Sequence, residues 1–268
     1  MILTLLTDYG HADEFVGVCH AVARRILPPD VPIVDLSHGV PRHDVRHGAL
    51  TLRNALPYAP MGVHVAVVDP QVGTERRAVA VRCDDGRVLV GPDNGLLSLA
   101  WERSGGAVEA IDVSRSQHRL EPLSATFHGR DLFVPVAAHL AAGAELRDAG
   151  EPLAVEELEV LSLPQPQLED GVALAHALLV DGYGNVSLDL THEHMLATGL
   201  TIGTRADVAC GDRTAVAIVV QTFADVPAGE MLVYEDAWGA VALAVNRGDA
   251  AAALGVARDA ELRLAPAR

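Results

Sequence analysis

Three short apolar runs alternate with two helical patterns within the first 68 residues, and that alternation limits the fold more than any other feature. Met1-Ile2-Leu3-Thr4-Leu5-Leu6 runs into Asp8 and Gly10 and reads as a buried strand with a polar turn at its carboxyl end. From Asp13 onward, Phe15, Val18, Val22 and Ile26 recur at three- and four-residue steps until Pro28-Pro29, which predicts a helix. Ile33-Val34-Asp35-Leu36 is the second strand, 44–56 a second helix ending before Pro57, and 63–68 a third strand. A β-α-β-α-β order predicts a mainly parallel sheet with helices on its faces and ligands at the carboxyl ends of its strands.

A hairpin is expected next, 78–82 and 88–90 around Asp84-Asp85-Gly86, then a helix near Leu96, a strand near Ile111 and a helix over 131–142. Leu163-Pro164-Gln165-Pro166-Gln167 has proline spacing and no apolar periodicity, which marks a linker. Beyond it the pattern changes to short strands separated by turns, at 174–180, 186–190, 215–220, 231–234 and 241–245, with 249–254 as the only helix expected there. The reading is an α/β domain over 1–160, a linker over 161–170 and a smaller antiparallel β-barrel domain over 171–268.

Composition removes several functions. The chain has 20 basic residues against 36 acidic ones, a net charge of −16, which argues against nucleic acid as a partner. Every basic residue is Arg, so a Schiff-base lysine, a lysine nucleophile and a P-loop lysine are all excluded. Cys19, Cys83 and Cys210 are far apart and in no C-x-x-C pair, which fits a reduced, cytoplasmic setting better than a disulfide framework or a cysteine zinc site. The apolar start is too short and too poor in basic flanks for a signal peptide, and no later run reaches membrane length free of charge.

Polar residues gather at the predicted carboxyl ends of the strands: Asp8 after the first, Ser37-His38 after the second, Asp69 after the third. Asp8 and Asp69 are therefore candidate site carboxylates, although either could equally cap its turn. In Val68-Asp69-Pro70-Gln71-Val72-Gly73-Thr74-Glu75-Arg76-Arg77 a buried strand runs into a carboxylate, a rigid turn and two adjacent arginines. Alternation sends the two arginines to opposite faces, so one of them can return to Asp69 and fix its orientation. His128, in Thr126-Phe127-His128-Gly129-Arg130-Asp131, stands at the mouth of a helix.

Taken together, Thr7-Asp8-Tyr9-Gly10 with Asp13 and Phe15, Ser37-His38, Asp69-Pro70 with Val72-Gly73-Thr74 and Arg76-Arg77, Gly91-Pro92-Asp93-Asn94-Gly95 and Phe127-His128-Gly129-Arg130-Asp131 resemble the S-adenosyl-L-methionine hydrolases. That family is also called the adenosylmethionine hydroxide adenosyltransferases and is related to the fluorinating and chlorinating enzymes. Asp181-Gly182-Tyr183-Gly184-Asn185 and Ala244-Val245-Asn246-Arg247-Gly248 are similar to its two later motifs, so order and spacing agree along nearly the whole chain.

The resemblance implies an α/β domain, a linker and a β-barrel, assembled as a homotrimer with each site between the first domain of one subunit and the second domain of its neighbour. It implies attack of water or hydroxide on the ribose 5′-carbon of S-adenosyl-L-methionine, giving adenosine and L-methionine with no cofactor and no catalytic metal. It assigns Asp69, Arg76 and His128 to the water. Asp8 goes to the ribose hydroxyls, Asp181 to the methionine amino group, Asn185 to the adenine edge, and Tyr183 with Phe223 to the adenine faces. Asp13, Asn246 and Arg247 complete the substrate-binding set. An Asp at position 69 and a Gly at 129 depart from the halogenating branch, where an aromatic residue and, in the fluorinating enzymes, a Ser are expected, and a carboxylate beside a halide is electrostatically adverse.

Three positions depart from the hydrolase pattern itself: Gln71 in place of a Gly, His20 in place of a common Lys, and Ala237 in place of a Ser that helps hold the methionine carboxylate. Three other readings stand beside hydrolysis. A halogenase would give 5′-chloroadenosine, and a non-catalytic adenosine or S-adenosyl-L-methionine binder would give no product. A metal hydrolase would use some of the twelve histidines, such as His43 with His47, one helical turn apart, or His192-Glu193-His194.

Overall fold

The apolar run at the start of the chain becomes a strand with every side chain buried, placed second in a seven-stranded sheet. The computed structural model describes residues 1–267 and divides into two units, Met1–Leu161 and Ser162–Arg268. The first unit runs β1 (Leu3–Thr7), α1 (Phe15–Arg24), β2 (Ile33–Ser37), α2 (Val45–Ala55), β3 (Val63–Val67), β4 (Ala78–Cys83), β5 (Val88–Pro92), α3 (Ser98–Arg103), β6 (Ala107–Asp112), α4 (Val134–Ala141) and β7 (Glu151–Leu153). Its sheet has the order β2-β1-β3-β5-β4-β6-β7. The β2-β1-β3-β5 pairs are parallel and the rest antiparallel, as the β-α-β-α-β pattern followed by a hairpin requires.

Alternation along β1 and β3 sends Leu3, Leu5, Val63, Val65 and Val67 into one core with Cys19, Val22 and Ala23 of α1 and with Val134, Val136 and Leu140 of the α4 region. The buried stripe of α1 thus passes through Cys19 and Ala23 rather than through Phe15, which is 38% exposed and packs with other rings at the sheet edge. On the opposite face α2 approaches so closely that a Cβ on its Gly48 would lie 2.8 Å from Leu96 Cδ1. Asp44 caps α2 by accepting a hydrogen bond from the His47 backbone N–H at 3.0 Å. Layering helices on both faces leaves the carboxyl ends of β1, β2 and β3 open together, which brings Asp8, His38 and Asp69 to one edge.

The second unit is a closed seven-stranded barrel with one strand added. It runs β8 (Gln167–Glu169), β9 (Val172–Val180), β10 (Val186–Leu188), α5 (His192–Ala197), β11 (Arg205–Cys210), β12 (Arg213–Val219), β13 (Met231–Glu235), β14 (Val241–Val245), α6 (Ala250–Leu254) and β15 (Glu261–Pro266). The order is β10-β14-β13-β12-β11-β15-β9, closed by β9 on β10, with β8 also on β9. All pairs are antiparallel except β12 with β13, a parallel pair the strand pattern did not reveal. α5 also corrects the expectation of a single helix there: Thr191 and His194 form a reciprocal capping box that starts it. Among the described residues no helix is long and apolar enough to cross a membrane.

Leu5 is 1% exposed at the centre of the first core. Leu5→Ala is expected to lower the unfolding free energy by about 2–5 kcal/mol in urea titration. A loss under about 1 kcal/mol would contradict its placement.

Candidate active site

At the carboxyl edge of the first sheet lies a cavity of about 310 Å³, lined among others by Asp8, Tyr9, Asp13, Phe15, Arg42, His43, Asp69, Thr126, His128 and Gly129. Asp69 leaves the end of β3, and the turn 69–74 closes on hydrogen bonds from the Val72 and Thr74 backbone N–H groups to the Asp69 and Gln71 carbonyls. Gly73 holds this turn with φ +80°, and a Cβ there would lie 2.3 Å from the Ala125 carbonyl oxygen. The turn is thereby pressed against the segment that leads to His128.

Seven residues after Asp69, Arg76 folds back onto it. Arg76 Nε donates to both Asp69 oxygens at 3.0 Å, and Nη2 donates to Oδ2 as well. Both side chains are 5% exposed. Arg76 Nη2 lies 2.9 Å from His128 Nδ1, and the guanidinium carbon stands 5.1 Å from the centre of the Phe133 ring. Arg77 takes the other face and pairs with Asp93 at 2.8 Å.

A guanidinium has only donors, so His128 Nδ1 must be the acceptor and a neutral ring carries its proton on Nε2. Burial and then the Arg76 charge push the His128 pKa below the ordinary histidine value, against the smaller opposing pull of Asp69 and Asp131. The ring is therefore neutral at pH 7 and offers Nε2–H as a donor. His128 precedes a single wide turn over Gly129–Phe133 that opens into α4. Asp131 fixes that turn by accepting from the Ser124 backbone at 2.8 Å and pairing with Arg130.

Tyr9, Phe15 and Phe127 form a three-ring cluster with centroids 5.2–5.9 Å apart. Burial first, then the neighbouring Cys19, Asp8 and Asp69, keeps the Tyr9 hydroxyl protonated well above its ordinary range. Gly129 has no room for a side chain, since a Cβ would lie 2.1 Å from the Tyr9 hydroxyl oxygen. Asp8 accepts from the His43 backbone N–H at 2.9 Å, and His43 adopts φ 63° just before the α2 cap. His43 is thus outside the helix, so it and His47 are not the one-turn pair that their spacing suggested.

Of the sequence-derived site residues, Asp8, Asp13, Asp69 and His128 share this cavity, with Arg76 bound to two of them. The other six belong to the second unit. Asp181 spends its carboxylate within its own turn, accepting from the Tyr183 and Asn185 backbone N–H groups at 2.8 and 2.9 Å and from Asn185 Nδ2 at 2.8 Å. Tyr183 is 82% exposed, and Phe223 packs on Tyr234 with centroids 5.0 Å apart. Asn246 Nδ2 donates to the Val226 carbonyl at 2.7 Å, and Arg247 stands exposed with φ 58°. Ala237 lies in a turn held by Asp236, which accepts from the Trp238 and Ala240 N–H groups. His194 of the His-Glu-His run is engaged in the α5 cap.

Tyr9, Arg42 and Thr126 line the cavity without having been assigned a role from the sequence. Tyr9 follows Asp8 directly and was within reach of the strand-end argument. Arg42 directly precedes His43, whose left-handed backbone no periodicity signals.

A polar cavity at the carboxyl edge of an α/β sheet, holding a buried carboxylate, guanidinium and neutral imidazole, is a small-molecule site equipped to orient a water. Residues 3–150 match the SAM hydroxide adenosyltransferase N-terminal domain and residues 175–263 the C-terminal domain. The chain belongs to that family. It is 46% identical over 265 residues, 98% of this chain and 97% of the relative, to an (R)-S-adenosyl-L-methionine hydrolase of Salinispora tropica. It is 38% identical to one of Thermus thermophilus across 97% of both chains, and 27% identical to a fluorinase of an Actinoplanes species across 91% of both. The crystal structure of an uncharacterized conserved protein from Thermotoga maritima matches with a TM-score of 0.90 and 35% identity, covering 99% of this chain and 100% of that one.

Nuclear magnetic resonance of ring-labelled histidines is expected to show His128 as the Nε2–H tautomer, titrating below pH 6.5. Arg76→Gln is expected to raise that value by removing a positive neighbour. A wild-type ring that titrates at or above 6.5, or that carries its proton on Nδ1, would overturn the assignment.

Proposed function

We propose that the protein hydrolyses S-adenosyl-L-methionine at the ribose 5′-carbon, giving adenosine and L-methionine. The observation that carries this reading is the buried Asp69–Arg76–His128 cluster beside the cavity that Asp8 also lines. The sulfonium makes methionine a neutral leaving group, so the reaction needs a nucleophile in line and little acid assistance. The water oxygen attacks C5′, the C5′–S bond breaks with its electron pair passing to sulfur, and one water proton is released.

Asp69 can accept a hydrogen bond from that water while the Nε2–H of His128 donates to its oxygen, leaving one lone pair for C5′. His128 then orients rather than removes a proton, because Arg76 occupies its basic nitrogen. Arg76 fixes both partners at once. Asp69 is the acceptor through which the proton leaves. Asp8, with Asp13, takes the ribose hydroxyls.

In the second unit, Tyr183 and Phe223 would flank the adenine, Asn185 would meet its edge, and Asp181 would receive the methionine ammonium. Asn246 and Arg247 complete that set. The exposure of Tyr183, Phe223 and Arg247 supports a site completed by further protein surface. The homotrimer with sites at subunit interfaces is proposed from the family resemblance, with which that exposure agrees. We place the protein in the cytoplasm, on the ground that its three cysteines are free thiols. The chemistry requires no cofactor, and neither nucleic acid nor membrane is a partner in it.

Hydrolysis is favoured over halogenation by two features of the cavity. Asp69 would repel a bound halide, and Tyr9 fills the space that a side chain at position 129 would need.

Incubation of chelator-treated protein with S-adenosyl-L-methionine in chloride buffer is expected to give adenosine and methionine in equal amounts by chromatography. 5′-Chloroadenosine would move the protein to the halogenating branch, and an unchanged substrate would leave only a binder. Asp69→Asn is expected to lower kcat by about 10²–10⁴ with adenosine binding retained. Unchanged turnover in that variant would remove Asp69 from the mechanism. Gly129→Ala is expected to displace Tyr9 and depress kcat; unaltered kinetics would show that the contact is not felt by the site.

A further inference from the structure

Three side chains from two elements of the first unit converge outside the residues that line the cavity. His20 lies on α1, Asp35 on the edge strand β2, and His38 just after β2. His20 Nε2 forms a hydrogen bond with Asp35 Oδ1 at 2.8 Å, and His38 Nε2 lies 3.0 Å from the same oxygen. Among the described residues they form a group of potential metal donors whose ligand atoms all lie within 4.8 Å of one another.

His38 is the informative member. It is 1% exposed, and its Nε2 has no hydrogen-bond partner of acceptable geometry despite the short approach to Asp35. Two donor atoms that are close but not aligned with each other are what a shared ion produces, because their lone pairs converge on a third point. For metal bonds of about 2.0–2.2 Å, tetrahedral angles put donor atoms roughly 3.3–3.5 Å apart, a few tenths of an ångström beyond the two short separations here.

The opposite ring nitrogen is anchored as metal-bound imidazoles usually are. His38 Nδ1 lies 2.8 Å from the Thr7 hydroxyl, which also accepts from the Tyr9 backbone N–H. With Nδ1–H donating to the Thr7 hydroxyl, Nε2 turns its lone pair toward a carboxylate oxygen, an arrangement that a cation relieves. His11 stands perpendicular to His38 with centroids 5.3 Å apart, so one side of the group is bordered by another imidazole.

We propose that His20 Nε2, Asp35 Oδ1 and His38 Nε2 form a binding site for a divalent transition-metal ion of the zinc class. Two imidazoles and one carboxylate suit zinc, nickel or cobalt rather than magnesium or calcium, and three protein ligands leave room for water. The ion plays no part in cleaving a bond. It ties α1 to the exposed edge of the sheet and, through Thr7, to the end of β1 that leads into Asp8 and Tyr9. The site does not depend on the proposed reaction.

Chelator-stripped protein titrated calorimetrically with zinc chloride is expected to bind one ion per chain and to melt at a higher temperature once loaded. Cobalt is expected to give visible absorption bands. His20→Ala, at a partly exposed helix position, and Asp35→Asn, on the edge strand, are each expected to weaken zinc binding about tenfold or more and to abolish the cobalt bands. Far-UV circular dichroism selects the variants that fold, and either alone suffices for the comparison. Failure of the wild-type chain to bind zinc, or equal affinity in a folded variant, would overturn the proposal.

Discussion

A carboxylate and a guanidinium, each 5% exposed, stand at the centre of the first unit's polar edge, and neither could remain there without the other. Removing one partner of such a pair leaves a buried, uncompensated charge, a loss of about 3–5 kcal/mol. The pair therefore dictates much of its surroundings. The turn from Asp69 must reverse the chain within seven residues, Gly73 must admit the Ala125 carbonyl, and His128 must present an acceptor rather than a proton to Arg76. Phe133 supplies an aromatic face to the same guanidinium, so the end of one apolar core is also a wall of the ion pair.

Much of this was legible in the sequence because it rests on period and punctuation. Buried runs ending in Asp, alternating with amphipathic segments stopped by proline, are enough to give a parallel sheet and to say which edge is polar. The change to short strands after the proline-spaced segment announces a different architecture. What escaped has physical reasons. β11 and β15 bury only two side chains each of clear alternation, Ala206 with Val208 and Leu262 with Leu264, between charged neighbours, so their apolar signal is weak. The parallel β12–β13 pair depends on how a barrel closes, which is a property of the whole set of strands. α5 is six residues long and owes its start to a cap rather than to a hydrophobic stripe.

The same division runs through the site. Asp69 and His128 could be picked out because they sit at a strand end and a helix mouth, whereas the choice of Arg76 over Arg77 rested on the family resemblance. Their hydrogen-bond polarity could not, since it is set by which atom of the imidazole meets the guanidinium. In the second unit the motif residues were recognisable by resemblance, yet the structure gives some of them local duties. Asp181 organises its own turn, and Asn246 holds the Val226 carbonyl. Shaping a loop does not by itself bar a residue from meeting a ligand, because a loop must be rigid before its remaining lone pairs point anywhere useful.

The contact between Gly129 and Tyr9 has a historical consequence. A side chain at position 129 and the present position of the Tyr9 ring exclude each other. A side chain gained at 129 displaces the Tyr9 ring, so the effect of a substitution at either position depends on the residue at the other. The two positions lie 120 residues apart in the chain but must change as a unit, and the order of their changes decides which intermediates survive. Divergence within such a family would then couple a steric exchange between these two residues to the change of charge at position 69.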